Sequence, residues 1–271
     1  MKLASVHTYP VKGCHRLDHD GARVEPWGLA GDRRWMVLDE HGVGVTQREA
    51  TELVTLHATP RDGGLLLRAP GRPDLDVPEP TTAEPVPVRV FRSRLPVAAL
   101  PAGPAADDWL GALLGRPVRL VWLRDPTRHV RPDERDHDTG DQVSFADEYP
   151  LLLANAASLD ALNGWLADAG EPAVEMTRFR PNLVVDGAAA WQEDAWVGRR
   201  LRVGGVVLRA AGACDRCVVT TTDQETGVRG KEPLRTLARH RNIGQKLLFG
   251  LHLVPEGPGR VAVGDPVTLV D

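Results

Sequence analysis

The sequence predicts a mainly β (α+β) protein in two strand-rich halves with only a few short helices. Three observations carry this. Most segments are short, rich in Val and Leu, and bounded by Gly and Pro, of which the 271-residue chain has 27 and 22; those residues punctuate extended runs at turns. The stretch Leu201-Arg202-Val203-Gly204-Gly205-Val206-Val207-Leu208 is two strand-like runs around Gly-Gly, the signature of a tight hairpin. Helical periodicity, by contrast, is confined to three short stretches.

Taken along the chain, strands are expected at 2–9, 34–39, 65–68, 86–91, 118–123, 182–185, 200–203, 206–209, 217–222, 251–254 and 261–270. A helix is expected at 106–114. A second begins at Ser158, a good N-cap, and lays Leu159, Leu162, Trp165 and Leu166 on one face. A third is expected at 233–239, with Pro233 at its first position. Segment 124–148 differs: twelve of its 25 residues are charged, and it holds His129 and His137. So long a polar stretch reads as a linker or a functional lid. It sets the expected division into domains 1–123 and 124–271.

Bulk properties exclude several classes. A net charge of −4 and a pI near 6.1 argue against a nucleic-acid partner. The start Met1-Lys2-Leu3-Ala4-Ser5-Val6 already reads as a strand, with no leader. No apolar run approaches the ~20 residues of a membrane helix. Three cysteines are too few for a disulfide framework and fit a reducing, cytoplasmic setting. Only four of the 33 basic residues are lysines, so arginine forks, suited to phosphate and carboxylate, dominate.

Cys217 closes Cys214-Asp215-Arg216-Cys217 at the mouth of a β-branched run. A thiol beside an arginine is poised as a nucleophile or a soft metal ligand. From spacing alone a redox pair, half of a zinc site and two small buried residues all stay open. Lys12, in Val11-Lys12-Gly13, can present a cation to an anion, or be a solvated turn residue. Gly28 to Arg33 is a glycine loop ending in arginine, without the following helix of a dinucleotide fold. Thr46-Gln47-Arg48-Glu49 is a further polar cluster or a plain surface loop. Arg178-Phe179-Arg180-Pro181-Asn182 sets two arginines and an amide at a strand mouth.

The order of these motifs is informative. The chain reads Tyr9-Pro10-Val11-Lys12-Gly13-Cys14, Gly31-Asp32-Arg33-Arg34-Trp35, Thr46-Gln47-Arg48-Glu49, Tyr149-Pro150-Leu151 through Asn155-Ala156-Ala157-Ser158-Leu159, Arg178-Phe179-Arg180-Pro181-Asn182, Cys214-Asp215-Arg216-Cys217, Phe249-Gly250-Leu251 and Val263-Gly264-Asp265-Pro266-Val267. In this it resembles the MOSC family and its amidoxime-reducing branch. The resemblance implies two β-barrel-like domains with a molybdenum pyranopterin cofactor in the cleft between them. It implies Cys217 as the thiolate on molybdenum, and Asp215 and Arg216 flanking the metal as catalytic residues. Lys12, Gly13, Arg33, Arg180, Asn182 and Arg216 would grip the cofactor. Asn155 and Ser158 would face the pterin edge. Gly13 stands where a relative has serine.

The chain stops after Val267-Thr268-Leu269-Val270-Asp271, so no iron–sulfur cluster is expected in it. Electrons are then expected from a separate ferredoxin- or flavin-type protein, and no membrane partner is expected. The implied function is reduction of small N-hydroxylated substrates, amidoximes and hydroxylamines, by oxygen removal. The alternative is a non-catalytic carrier of molybdenum cofactor or sulfur. The chain is too short for an added pyridoxal-phosphate domain, so that cofactor is not expected.

Overall fold

The computed structural model describes residues 1–90, 95–130 and 140–270. The expected strand end at Phe91, and His137 of the charged segment, lie outside the described residues.

The chain is mainly β, as expected. Its largest sheet has nine strands. Across it run Leu17–His19, Lys2–Thr8, Leu183–Asp186, Leu151–Asn155, Lys246–Pro255, Val206–Asp215, Arg200–Val203 and Val267–Leu269, with Asn242–Ile243 pairing off Lys246–Pro255. A four-stranded sheet orders Trp35–Leu38, Arg119–Trp122, Val97–Pro101 and Val86–Val88. Among the described residues, two three-stranded sheets and a two-stranded ribbon complete the set, and all of these sheets are open paths rather than closed barrels. Three α-helices are described: α1 (Pro104–Leu114), α2 (Ala156–Asp168) and α3 (Leu234–His240).

The large sheet is covered on both faces. Leu151 and Leu153 pack into one core with Leu251, Leu253 and Trp196. Ala154 faces the other way, into a cluster with Leu162, Leu166, Phe179, Leu237 and Phe249 that seats α2 and α3. Alternation across a strand produces this split. Both faces being apolar, Leu151–Asn155 reads as one continuous buried run, the pattern of a central strand with a parallel neighbour. Its parallel partner is Leu183–Asp186, and α2 is the crossover. At Gly250 the φ angle is +85°, and a Cβ would lie 2.7 Å from the Leu153 carbonyl oxygen. Only glycine allows so close an approach there.

Three local expectations are corrected. Residues 217–222 form no strand: Cys217 opens a 3-10 turn, Val218–Thr221. The Thr220 hydroxyl donates to the Cys217 carbonyl (3.0 Å) and Thr221 to Val218 (2.8 Å). Such local side-chain bonds compete with a strand ladder and win here. The 261–270 run is two strands in different sheets, Gly259–Ala262 and Val267–Leu269, parted by a turn with Gly264 at φ +92°. The N-cap of α2 is Asn155, not Ser158, its side chain accepting from Ala157 N. The hairpin at Val203 and Val206 is found as expected.

Candidate functional site

After the Lys2–Thr8 strand the chain leaves the large sheet. Val11 then bridges Trp35 of the four-stranded sheet, and Lys12 N donates to Trp35 O (2.8 Å). Arg33 N returns to Tyr9 O (2.9 Å), and Phe145 N reaches Arg33 O (3.0 Å). This junction gathers the polar residues of the site.

Arg180 and Arg33 both adopt left-handed backbone, with φ of +53° and +48°, which non-glycine residues hold only where the surroundings enforce it. Both guanidinium groups lie on the Tyr9 ring, at 4.0 and 4.5 Å from its centroid. Arg33 pairs with Asp32. Asn182 Nδ2 also donates to Asp32 (3.1 Å), and its Oδ1 accepts from Leu152 N (3.1 Å). Arg180 Nη1 donates to the Cys14 carbonyl and to Gln224 Oε1, each at 2.8 Å. Gln224 and Gln47 face each other as a buried amide pair, and Gln47 donates to the Gly13 carbonyl (2.7 Å). Gly13 has φ +85°, and a Cβ would stand 3.0 Å from Leu53 Cδ1. A side chain at this position is therefore strained. Arg180 Nη2 is buried without a hydrogen-bond partner among the described residues.

Cys217 is half-buried. The arginine at its sulfur is Arg48, whose Nη2 is 3.3 Å from Sγ and 3.1 Å from Asp147 Oδ2. Lys12 Nζ pairs with the other oxygen of Asp147 and donates to the Phe145 carbonyl (2.7 Å). Burial alone raises the Asp147 carboxyl, but Lys12 and Arg48 outweigh it and hold the group far below the carboxylate range. Burial pushes Lys12 down to about 8 despite Asp147.

A second cluster lies beside the first. Arg216 Nη1 is 2.8 Å from Cys214 Sγ, and Nη2 donates to the Phe179 carbonyl (2.8 Å). His252 stacks on Tyr149 with ring centroids 4.6 Å apart. Its Nε2 stands 3.3 Å from Glu148, an ion pair by distance but off the line of a hydrogen bond. Burial raises the Cys214 thiol, yet Arg216 and His252 bring it below its ordinary value.

Of the residues singled out in the sequence, Lys12, Gly13, Arg33, Arg180 and Asn182 share the junction, with Cys217 tied to it through Arg48. Arg216 serves Cys214 instead of Cys217. Asp215 is exposed and accepts from Leu247 N (2.8 Å). Asn155 Nδ2 and Ser158 Oγ do not point at the junction: both donate to the buried Glu193 carboxylate, at 2.8 and 2.7 Å. Arg48 stands in the sequence only as part of the polar cluster Thr46-Gln47-Arg48-Glu49, with no sign of its tie to Cys217; Gln224 has no marking pattern, and Asp147 is one acid among many in 124–148. That segment's described ends pair as Arg128–His129 with Gln142–Val143.

Among the described residues, Lys12 and Arg48 pair with Asp147 and Arg33 with Asp32, while the buried Arg180 has no carboxylate partner. A buried guanidinium without a counter-charge calls for an anion, and a half-exposed thiol adds a soft donor. These features define a mainly β protein with a cation-rich junction beside a half-exposed thiol. Residues 140–268 match the MOSC domain and residues 1–117 the MOSC N-terminal beta barrel domain. The chain is 36% identical over 290 residues to human "Mitochondrial amidoxime-reducing component 1", covering 99% of this chain and 82% of that one. It is 32% identical to the human "Mitochondrial amidoxime reducing component 2", over 98% and 82%. It is also 32% identical to the "Molybdenum cofactor sulfurase" of Oryza sativa subsp. japonica, over 97% of this chain and 34% of that one. The chain belongs to the MOSC family.

Proposed function

We propose that this protein is a molybdenum-cofactor-dependent oxidoreductase that reduces N-hydroxylated compounds by oxygen removal. The overall change is R–NHOH with two electrons and two protons giving R–NH2 and water. One observation carries the reading: the Cys217 sulfur, half-exposed and touched by Arg48, adjoins a cation-rich junction in which the buried Arg180 has an unpartnered guanidinium nitrogen among the described residues.

The residues fit the cofactor. Cys217 supplies a thiolate of the softness molybdenum takes. Arg180 and Arg33, both set over the Tyr9 ring, are forks for its phosphate. Asn182 and Asp32 hold Arg33 in place. Lys12 and Arg48 complete the counter-charge, and Asp147 fixes both of them. When bound, the group supplies the two-electron redox chemistry and the oxygen acceptance that no side chain offers. Electrons come from a separate protein.

Similarity to a molybdenum cofactor sulfurase favours one second reading, a carrier of cofactor or sulfur with no turnover. The two separate cleanly. The protein is purified from a host that makes the cofactor, and molybdenum and pterin are measured. Stoichiometric metal that disappears in Cys217→Ala and persists in Cys214→Ala is expected. Benzamidoxime reduction with an artificial reductant then identifies the enzyme. A molybdenum-loaded protein inert to amidoximes, hydroxylamines and N-oxides is the carrier.

A further inference from the structure

We propose that the face formed by residues 228–247, beside Cys217, docks a small acidic electron-carrier protein. This rests on the reductase reading above.

The face adjoins the sulfur. α3 packs on the 3-10 turn that Cys217 opens. On one side, Arg216 N donates to the Leu247 carbonyl (2.8 Å), and Leu247 N donates to Asp215 (2.8 Å). On the other side, Arg229 Nε reaches Thr222 Oγ1 (3.2 Å), and Nη1 reaches the carbonyl of Arg48 (2.9 Å). Arg48 is the residue at Cys217 Sγ. An electron carrier seated here lies within a few side chains of the thiolate.

Its charge opposes that of the rest of the chain. Residues 228–247 hold Arg229, Lys231, Arg235, Arg239, Arg241 and Lys246 against Glu232 alone, in a protein of net charge −4. Some of these charges are answered: Arg235 pairs with Glu171 and Glu232, and Arg241 with Asp194. The nearby acids Asp223 and Glu225 are held by Arg178 and Arg16. Lys231, Arg239 and Lys246 are exposed, with no ion pair among the described residues. Apolar surface is interleaved. Val228 (68%), Ile243 (51%) and Val218 (38%) are three of the eight exposed large hydrophobic residues described. A cavity of about 640 Å³ on the same face is lined by Val228, by Arg178, Lys231 and Arg235, and by the acids Glu171, Asp223 and Glu232. These acids are ion-paired with Arg178 and Arg235; Lys231 is the cation left over.

Apolar contacts rimmed by one sign of charge are the build of small, transient redox interfaces, where electrostatics steers encounter more than it adds affinity. A long polyanion fits poorly, because the remainder of the surface is net negative and repels it.

The test uses holo-protein with a reduced, strongly acidic ferredoxin or flavodoxin as probe, and a viologen dye as a small reductant needing no docking surface. The variant is K231E/R239E/K246E. Affinity for the probe, read by calorimetry at low ionic strength, is expected to fall at least tenfold. The KM for the probe in turnover rises in step, while the viologen-driven rate and molybdenum content stay at wild-type values. Probe binding by the wild type weakens steeply with added salt. If reversal of all three charges lowers metal content, the neutral K231Q/R239Q/K246Q variant replaces it, with a smaller loss in the same direction. Unchanged affinity and KM for both probes overturn the docking surface. A wild type that binds the probes yet reduces nothing with viologen overturns the reductase reading, and calorimetry alone then decides the surface.

Discussion

His252 carries the clearest pH signature of any single residue. Its ordinary value is 6.5; burial pulls it down, but Cys214 and Glu148 together push it up to about 9. The folded protein therefore holds this proton more tightly than the unfolded chain. Below pH 6.5 both states hold the proton and the stabilisation is complete. Between 6.5 and about 9 the folded state binds more protons, so stability falls as pH rises, and above that window the contribution is gone. The melting temperature of the wild type minus that of His252→Gln should shrink from pH 6 to pH 9.5. Thermal unfolding at matched ionic strength checks this, and a flat difference across the window removes the assignment. The same cluster places Arg216 beside Cys214 rather than Cys217. In extended chain, residues two apart share a face, so Arg216 falls on the side of Cys214, while Cys217 turns away into the 3-10 segment. The cation at Cys217 comes from Arg48, 169 residues earlier. Nothing in the local pattern around Cys217 indicates it.

At the scale of elements, the start of α2 separates a structural role from a cofactor role. Glu193 is buried and accepts from Asn155 Nδ2 and Ser158 Oγ, while Ser158 Oγ also accepts from Trp191 N (2.8 Å). These bonds tie α2 to the 3-10 turn Gln192–Trp196. Removing one partner leaves a buried carboxylate under-satisfied, so Ser158→Ala should cost roughly 1–3 kcal/mol. Denaturant unfolding measures that loss. Molybdenum content of the folded fraction should not change; a drop in metal with stability intact would return Ser158 to the cofactor. Legibility among the elements followed chemistry. The hairpin around Gly204 was readable because glycine and β-branched residues mark both its turn and its arms. The central strand Leu151–Asn155 was not identified, since a run buried on both faces carries no alternation. The threonines after Cys217 look like strand residues by propensity, yet their hydroxyls close a turn.

Across the whole molecule, the site exists only in the folded chain. Tyr9, Lys12, Arg33, Arg48, Asp147, Arg180 and Gln224 come from six separate stretches, joined where the large sheet meets the four-stranded one. Several of these residues stand in the sequence as weak anion-facing motifs, but their convergence on one junction is a property of the folded chain. An anion that binds there stabilises the entire fold by mass action, by ~2.7 kcal/mol at a concentration one hundred times its dissociation constant. Inorganic phosphate should therefore raise the melting temperature of cofactor-free protein above that in chloride at equal ionic strength. The sign of two substitutions follows from the charge count. Arg180→Ala removes a cation with an unsatisfied Nη2 and should shrink the phosphate-induced shift. Asp147→Asn removes an acid that now neutralises Lys12 and Arg48, and should enlarge it even though the phosphate-free protein melts lower. Without Asp147, burial lowers Lys12 further than the about 8 it has in the intact protein, so the enlarged shift should already fade as pH rises toward 8. If both variants respond to phosphate as the wild type does, the anion is acting on the general surface, and the junction is not where charge is received.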